Sequence, residues 1–81
     1  MTAMHCLTGY DRKTDAQRFS LPIRPERFAS VKDLVELNED DPDAFDSYEL
    51  SDRQARDIAR AVSHHDLAPN LVFYLEAVAT P

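Results

Sequence analysis

The segment SDRQARDIARAV, residues 51–62, constrains the fold more than any other part of the chain. Ser51 and Gln54 have the spacing of a capping box, and the apolar residues that follow recur at the period of an amphipathic helix. The predicted buried stripe consists of Ala55, Ile58, Ala59 and Val62. A helix of this kind buries its apolar face against another layer of secondary structure, so the segments around it decide the architecture.

Two segments early in the chain predict a β-hairpin. Residues 4–10 read as a strand with mixed alternation, and in the turn at residues 11–15 Asp and Thr side chains can bond nearby backbone groups. Residues 16–23 alternate cleanly and predict the second strand. Its apolar face holds Phe19, Leu21 and Ile23, and its other face holds Arg18, Ser20 and Pro22. Because proline lacks an N–H, Pro22 places this strand at a sheet edge or ends it there.

Residues 71–78, LVFYLEAV, leave two interpretations open. They are apolar on both alternate faces and rich in aromatic and β-branched residues, which favours a central strand. A short helix beginning at Asn70 fits the spacing nearly as well.

Two shorter elements lie between these segments. Ser30 as an N-cap, followed by apolar residues at helical spacing, predicts a short helix over residues 31–37, with Phe28 packed under its start. Pro42 ends any continuation of that helix. Residues 46–50 then have room for one short strand.

These elements predict an α+β fold in a single small domain that spans residues 1–81. A four-stranded sheet with two helices on one face forms two layers, in the order β-β-α-β-α-β. A domain of this size buries only about 60–65% of its unfolded surface, so we expect a thin core.

Nine of the fifteen acidic residues fall between Lys32 and Arg53, where no basic residue occurs. They are Asp33, Glu36, Glu39, Asp40, Asp41, Asp43, Asp46, Glu49 and Asp52. We expect like charges in this run to stay hydrated and mutually exposed, unlike the partly dry carboxylate pairs of acid–base catalysis. An EF-hand calcium loop is excluded because the spacing that puts Glu49 at the twelfth position puts Asp43 at the sixth, where glycine is required.

The acidic segment over residues 36–49 is therefore predicted to be a docking surface for a basic protein. Clustered carboxylates speed association with a positive partner, and aromatic side chains among them anchor it. The predicted partner-binding residues are Glu36, Glu39, Asp40, Asp41, Asp43, Phe45, Asp46, Tyr48 and Glu49. The plainer alternative is a solubilising loop whose aromatic residues belong to the core. For Tyr48 taken alone, a buried or half-buried position fits better.

Charge and composition exclude several other classes of protein. The formal net charge of −6 argues against direct binding to nucleic acid and against anionic membrane surfaces. No apolar run approaches the length of a membrane span. Cys6 is the only cysteine, and the first residues lack the apolar region of a secretory signal, so we expect a cytoplasmic protein.

Catalytic, metal and cofactor sites have little support in the sequence. The pairs His5–Cys6 and His64–His65 are adjacent residues, whose side chains diverge and make poor chelates. A chain with one glycine also has no phosphate-binding loop and no Gly-x-Ser-x-Gly turn. We therefore expect no enzyme activity, no metal and no cofactor.

The stretches SYELSDRQARDIA, FYLEA and YDRKTDAQ resemble a group of small bacterial domains of unassigned function. The residues that carry the resemblance are Tyr48, Leu50, Ser51, Ala55, Tyr74, Leu75 and Glu76. Members of that group are short, cytoplasmic and not recognised as enzymes, and some resemble immunity proteins encoded beside polymorphic or secreted toxins. The resemblance implies a fold and carries over no catalytic residue.

The leading functional hypothesis is an immunity protein, or antitoxin, that neutralises a cognate bacterial toxin through its acidic surface. The partner would be a basic toxin or a nucleic-acid enzyme, attracted by the carboxylates and held at short range by Phe45, with Tyr48 as a second candidate. Two alternatives stay open: a phage-type inhibitor that mimics nucleic-acid charge, and a stand-alone regulatory or structural domain whose acidic loop only keeps it soluble.

Overall fold

The computed structural model of the chain describes residues 2–62, 67–68 and 70–80. The elements follow one another in the order β-β-α-β-α-β, and the four strands form one antiparallel sheet. The elements are β1 (Thr2–Asp11), β2 (Gln17–Ile23), α1 (Pro25–Lys32), β3 (Tyr48–Leu50), α2 (Asp52–Ala61) and β4 (Leu71–Thr80). The predicted α+β class and element order are confirmed.

The sheet is built around the pairing of β1 with β4. Its strand order is β2-β1-β4-β3, and β1 and β4 pair antiparallel from Thr2 opposite Thr80 to Asp11 opposite Leu71. The strand predicted for residues 71–78 is therefore confirmed, and the alternative helix from Asn70 is wrong. Asn70 has a positive φ of 65°, a conformation that Asn tolerates but that no right-handed helix contains.

The hairpin between β1 and β2 forms as predicted. Asp11 Oδ1 accepts hydrogen bonds from the N–H groups of Lys13 (2.8 Å) and Thr14 (3.1 Å), and Asp15 has a φ of 59°. Pro22 of β2 lies opposite Cys6 of β1. β2 is an edge strand of the sheet, as predicted from the missing N–H of proline.

The first helix differs from its prediction. A helix over residues 31–37 capped by Ser30 is wrong, because α1 begins at Pro25 and Ser30 lies inside it. Proline has the φ of a helix and needs no N–H bond at the first helical position, so Pro25 is the stronger start signal. The apolar residues after Ser30 were predicted to begin a helix, but they lie at the end of α1 and just beyond it. There the Leu34 N–H donates a hydrogen bond to the Val31 carbonyl (3.0 Å).

The second helix confirms the capping box. The Gln54 N–H donates to Ser51 Oγ (3.1 Å), and the Ser51 N–H donates to Gln54 Oε1 (2.9 Å). Three residues of the predicted stripe, Ala55, Ile58 and Ala59, are buried, and Val62 is half-buried against them.

The core lies between the helices and one face of the sheet. It joins sheet residues such as Leu7 and Leu75, both fully buried, to Val31 of α1 and Ile58 of α2. Side chains on the opposite face, here called the open face, alternate with these core residues. On the two central strands they are Met4, Cys6, Thr8 and Tyr10 of β1 and Val72, Tyr74, Glu76 and Val78 of β4.

Gly9 of β1 lets side chains of the two neighbouring strands, β2 and β4, meet on the core side of the sheet. A Cβ atom at this position would lie 2.9 Å from Leu71 Cδ1, 3.1 Å from Phe73 Cε1 and 3.2 Å from Phe19 Cβ. The space that a side chain at position 9 would occupy is therefore filled by the neighbouring side chains.

Gly9→Ala tests this packing, because two effects of opposite sign compete. Alanine lowers the conformational entropy of the unfolded chain, which would stabilise the protein by about 0.4–1 kcal/mol. Its extra methyl group would overpack the core, which costs about 1–3 kcal/mol. We expect a net loss in the free energy of unfolding, measured by urea denaturation. Ser20→Ala, at an exposed position on β2, is the control and should change it by less than about 0.5 kcal/mol. A stabilised Gly9→Ala protein would contradict the packing described.

Candidate functional site

The acidic loop, defined here as residues 36–47, is organised around the carboxylate of Asp41. Asp41 Oδ1 accepts a hydrogen bond from the Phe45 N–H (2.8 Å), and Oδ2 accepts from the Asp46 N–H (3.0 Å) and the Tyr48 hydroxyl (2.6 Å). Asp41 is only 8% exposed. A buried carboxylate with three donors fixes the backbone that surrounds it.

These contacts change the acidity of both partners. The Tyr48 hydroxyl, followed by the Asp46 N–H, holds the pKa of Asp41 below its ordinary value, although burial opposes this. Burial and the bond to Asp41 raise the pKa of Tyr48. At neutral pH the pair therefore consists of a charged acceptor and a neutral donor.

His5 of β1 anchors the loop to the sheet. Its Nε2 atom lies 2.9 Å from the Asp43 carbonyl and 3.1 Å from the Ala44 carbonyl. Carbonyl oxygens only accept, so Nε2 carries a proton. The ring stacks on Phe28 with centroids 3.8 Å apart and is stacked with Phe45 at 6.3 Å.

Ala44 has an unusual conformation at the point where the loop meets His5. Its φ is 55°, and its side chain is fully buried in the core. A non-glycine residue in this region costs about 1–3 kcal/mol, which the surrounding contacts must offset. The bond to His5 and the bond from the Ala44 N–H to the Asp41 carbonyl (3.1 Å) hold it there.

The remaining acids of the loop face solvent. The exposed residues are Glu36, Glu39, Asp40, Asp43 and Asp46. Phe45, between two of them in sequence, is 60% exposed. Between described residues, the ion pairs within 4 Å are Arg12–Asp52 and Arg24–Glu26, and neither involves an acid of the loop.

The nine residues predicted from the sequence thus fall into three groups. Six form the outer surface of the loop. The expectation that every acid in this run is exposed is wrong for Asp41, whose charge is bonded inside the loop with Tyr48, itself half-buried as predicted. Glu49 is separate: it lies on β3 opposite Tyr74, and its Oε1 accepts from the Tyr74 hydroxyl (3.3 Å) on the open face.

A second polar cluster, which the sequence did not predict as a site, surrounds Glu76 on the open face. Glu76 Oε1 accepts hydrogen bonds from the hydroxyls of Thr8 and Tyr10, the latter at 2.6 Å. Its Oε2 is 3.4 Å from the Ser47 hydroxyl. Alternation in LVFYLEAV places Glu76 and Tyr74 on one face, but only the register of β1 against β4 brings Thr8 and Tyr10 to them.

A shallow groove of about 360 Å³ lies beside this cluster. Its lining consists of Tyr10, Asp15, Ser47, Val72, Tyr74 and Glu76. The rings of Tyr10 and Tyr74 meet edge to face, with centroids 5.6 Å apart. The groove is therefore walled by aromatic rings and carboxylates.

Within residues 2–62, 67–68 and 70–80, no three His, Cys, Asp or Glu side chains come together in a way that could hold a metal ion. His64 and His65 lie outside the described residues. Neither described helix is long and apolar enough to cross a bilayer.

The chain matches a family of known sequences over most of its length. The profile of a family described as "Domain of unknown function (DUF7683)" matches residues 4–76, which include β2, β3, both helices and most of β1 and β4. No curated protein and no solved structure shows significant similarity to the chain.

Replacing Asp41 tests its role as the centre of the loop. Because its folded pKa is lowered, its stabilising contribution is present above the unfolded pKa, about 3.9, and is lost as pH falls through the folded pKa. We expect Asp41→Asn to lower the melting temperature at pH 7 and to flatten the acid-induced decline, measured by thermal denaturation from pH 7 to pH 2.

Asp40→Asn is the matched control, because Asp40 is adjacent but exposed. It should leave the melting temperature nearly unchanged. Equal effects of the two substitutions would show that the charge of the segment, and not the bonds to Asp41, determines its stability.

Proposed function

The chain belongs to the DUF7683 family, and we propose that it is a non-enzymatic binding protein that docks on a basic protein through the acidic loop. The observation that supports this most directly is that the loop carries exposed carboxylates together with the exposed side chain of Phe45, on a backbone that Asp41 holds in place. No cation of the described residues pairs with those carboxylates within 4 Å.

Each part of the loop has a distinct role in this proposal. Exposed carboxylates without internal partners produce a negative potential that speeds the encounter with a basic surface. Phe45 then supplies apolar contact at short range, as aromatic residues do at the centres of interfaces. Because Asp41 and His5 already order the backbone, little conformational entropy is lost when the complex forms.

An immunity protein is the specific role that we propose. Its partner would be a toxin with a basic cleft, such as an enzyme that acts on nucleic acid, and the loop would occupy that cleft in place of phosphates. SYELSDRQARDIA and FYLEA resemble a group of small bacterial domains of unassigned function. Some members of that group resemble immunity proteins encoded beside toxins, which supports this assignment. Co-expression with the product of the adjacent gene, followed by purification, should yield a stoichiometric complex. Recovery of the domain alone would favour a stand-alone role.

The electrostatic part is tested by Asp40→Asn/Asp43→Asn/Asp46→Asn. We expect its association rate constant at low salt to fall by about tenfold or more, with a weaker dependence on ionic strength, in stopped-flow measurements with the purified partner. The control Glu26→Gln/Asp52→Asn/Asp57→Asn removes the same number of charges from the two helices. If both variants slow association equally, net charge and not the loop attracts the partner.

The short-range part is tested by Phe45→Ala. An anchor at the centre of an interface contributes about 2 kcal/mol or more, so the dissociation rate constant should rise roughly 30-fold with little change in association. The control is Val78→Ala, because Val78 is an apolar residue of β4 that is 48% exposed. This substitution should change neither rate constant. An unchanged dissociation rate for Phe45→Ala would remove Phe45 from the interface.

A further inference from the structure

We propose that the groove on the open face is a second recognition site, which takes the guanidinium group of an arginine side chain from a partner protein. This inference rests on the proposed binding function and extends it to another surface. The groove lies among the hairpin turn, the polar face of β4 and Ser47, the last residue of the acidic loop. The middle of that loop is instead anchored on His5, which points to the core side of the sheet.

Glu76 provides a fixed negative charge at one wall of the groove. Hydroxyl groups of Thr8, Tyr10 and Ser47 orient its carboxylate. These donors are neutral, so they satisfy hydrogen bonds without compensating the charge. A half-buried carboxylate held in this way attracts a cation that can reach its remaining lone pairs.

Two further carboxylates add to the negative potential around Tyr74. Asp15 lines the groove, and Glu49 accepts a hydrogen bond from the Tyr74 hydroxyl. Burial raises the pKa of Tyr74, and the charges of Glu49, Asp15 and Glu76 raise it further. Asp15 and Glu76 line the groove together with Tyr74, and Glu49 is bonded to its hydroxyl, so all three acids lie beside this side chain.

The acids around the groove form no ion pair with a basic residue of the described chain. Arg12 and Arg24 form their ion pairs elsewhere, with Asp52 and Glu26. Arg18 acts on Asp11, whose pKa it lowers together with the stronger effect of the Lys13 and Thr14 N–H groups. No described Lys, Arg or His makes an ion pair within 4 Å of Asp15, Glu49 or Glu76.

Aromatic walls make arginine the fitting ligand. A planar guanidinium stacks on a tyrosine ring and donates two parallel hydrogen bonds to a carboxylate, which a compact ammonium group does less well. Tyr10 and Tyr74 supply rings in two orientations about 85° apart. A volume of about 360 Å³ suits one side chain and is at the lower limit for larger organic ligands.

Titration of the isotope-labelled protein with Nα-acetyl-arginine-methylamide tests the site without a known partner. We expect saturable amide shifts in NMR spectra at millimolar ligand, concentrated at Tyr10, Val72, Tyr74 and Glu76. The citrulline analogue has the same shape without the charge, and it should bind at least fivefold more weakly. Absence of saturation, or equal shifts with citrulline, would overturn the proposal.

Two variants locate the binding. Glu76→Gln should weaken the binding of the arginine analogue at least fivefold. Glu49 is exposed, so Glu49→Gln should leave the fold intact. It should weaken the binding of the arginine analogue about twofold. Unchanged affinity in both variants would overturn the assignment, whatever the stability of Glu76→Gln.

The loop variant separates this inference from the proposed function. Asp40→Asn/Asp43→Asn/Asp46→Asn should bind the arginine analogue as the parent does. If the groove binds no arginine but the loop variant slows association with the partner, the inference fails and the proposed function stands. If the loop variant associates normally while the groove binds arginine, the acidic-loop proposal fails instead.

Discussion

The antiparallel pairing of β1 with β4 is the constraint on which both surfaces depend. It runs from Thr2 opposite Thr80 to Asp11 opposite Leu71, so it fixes the position of every side chain on the two central strands. On one face it directs His5 toward the loop that follows α1, and on the other it brings Thr8 and Tyr10 against Glu76. A shift of one residue would reverse the faces and remove both arrangements.

The acidic loop divides its carboxylates between two tasks. Asp41 is buried and bonded to two N–H groups and the Tyr48 hydroxyl, and it gives the loop its shape. Its exposed neighbours, Asp40 and Asp43 among them, take part in no ion pair within the described residues. A rigid interior and an uncompensated exterior are what a preformed docking surface requires.

Sequence patterns predicted the elements better than the contacts between them. Alternation in β2 and the capping box of α2 depend on neighbouring residues, and both predictions are confirmed. The predicted start of α1 is wrong because it rests on the apolar spacing after Ser30, whereas the helix begins at Pro25.

The division of the acids could not be predicted in the same way. Asp41 differs from Asp40 only through a tyrosine seven residues away and the backbone turn between them, so composition treats the two alike. The Glu76 cluster depends on strand register, which joins residues more than sixty positions apart and leaves no local pattern. The sequence shows where the charged residues are, whereas the role of each depends on the contacts that it makes in the folded protein.

Hydrogen exchange of the backbone amides, compared between the free protein and its purified complex, tests the central claim most directly. The account predicts that the Phe45 and Asp46 amides are already protected in the free protein, because both donate to Asp41. It predicts that protection over residues 36–47 increases further when the partner binds. Rapid exchange of those two amides in the free protein, or unchanged exchange of the loop in a stable complex, would contradict it.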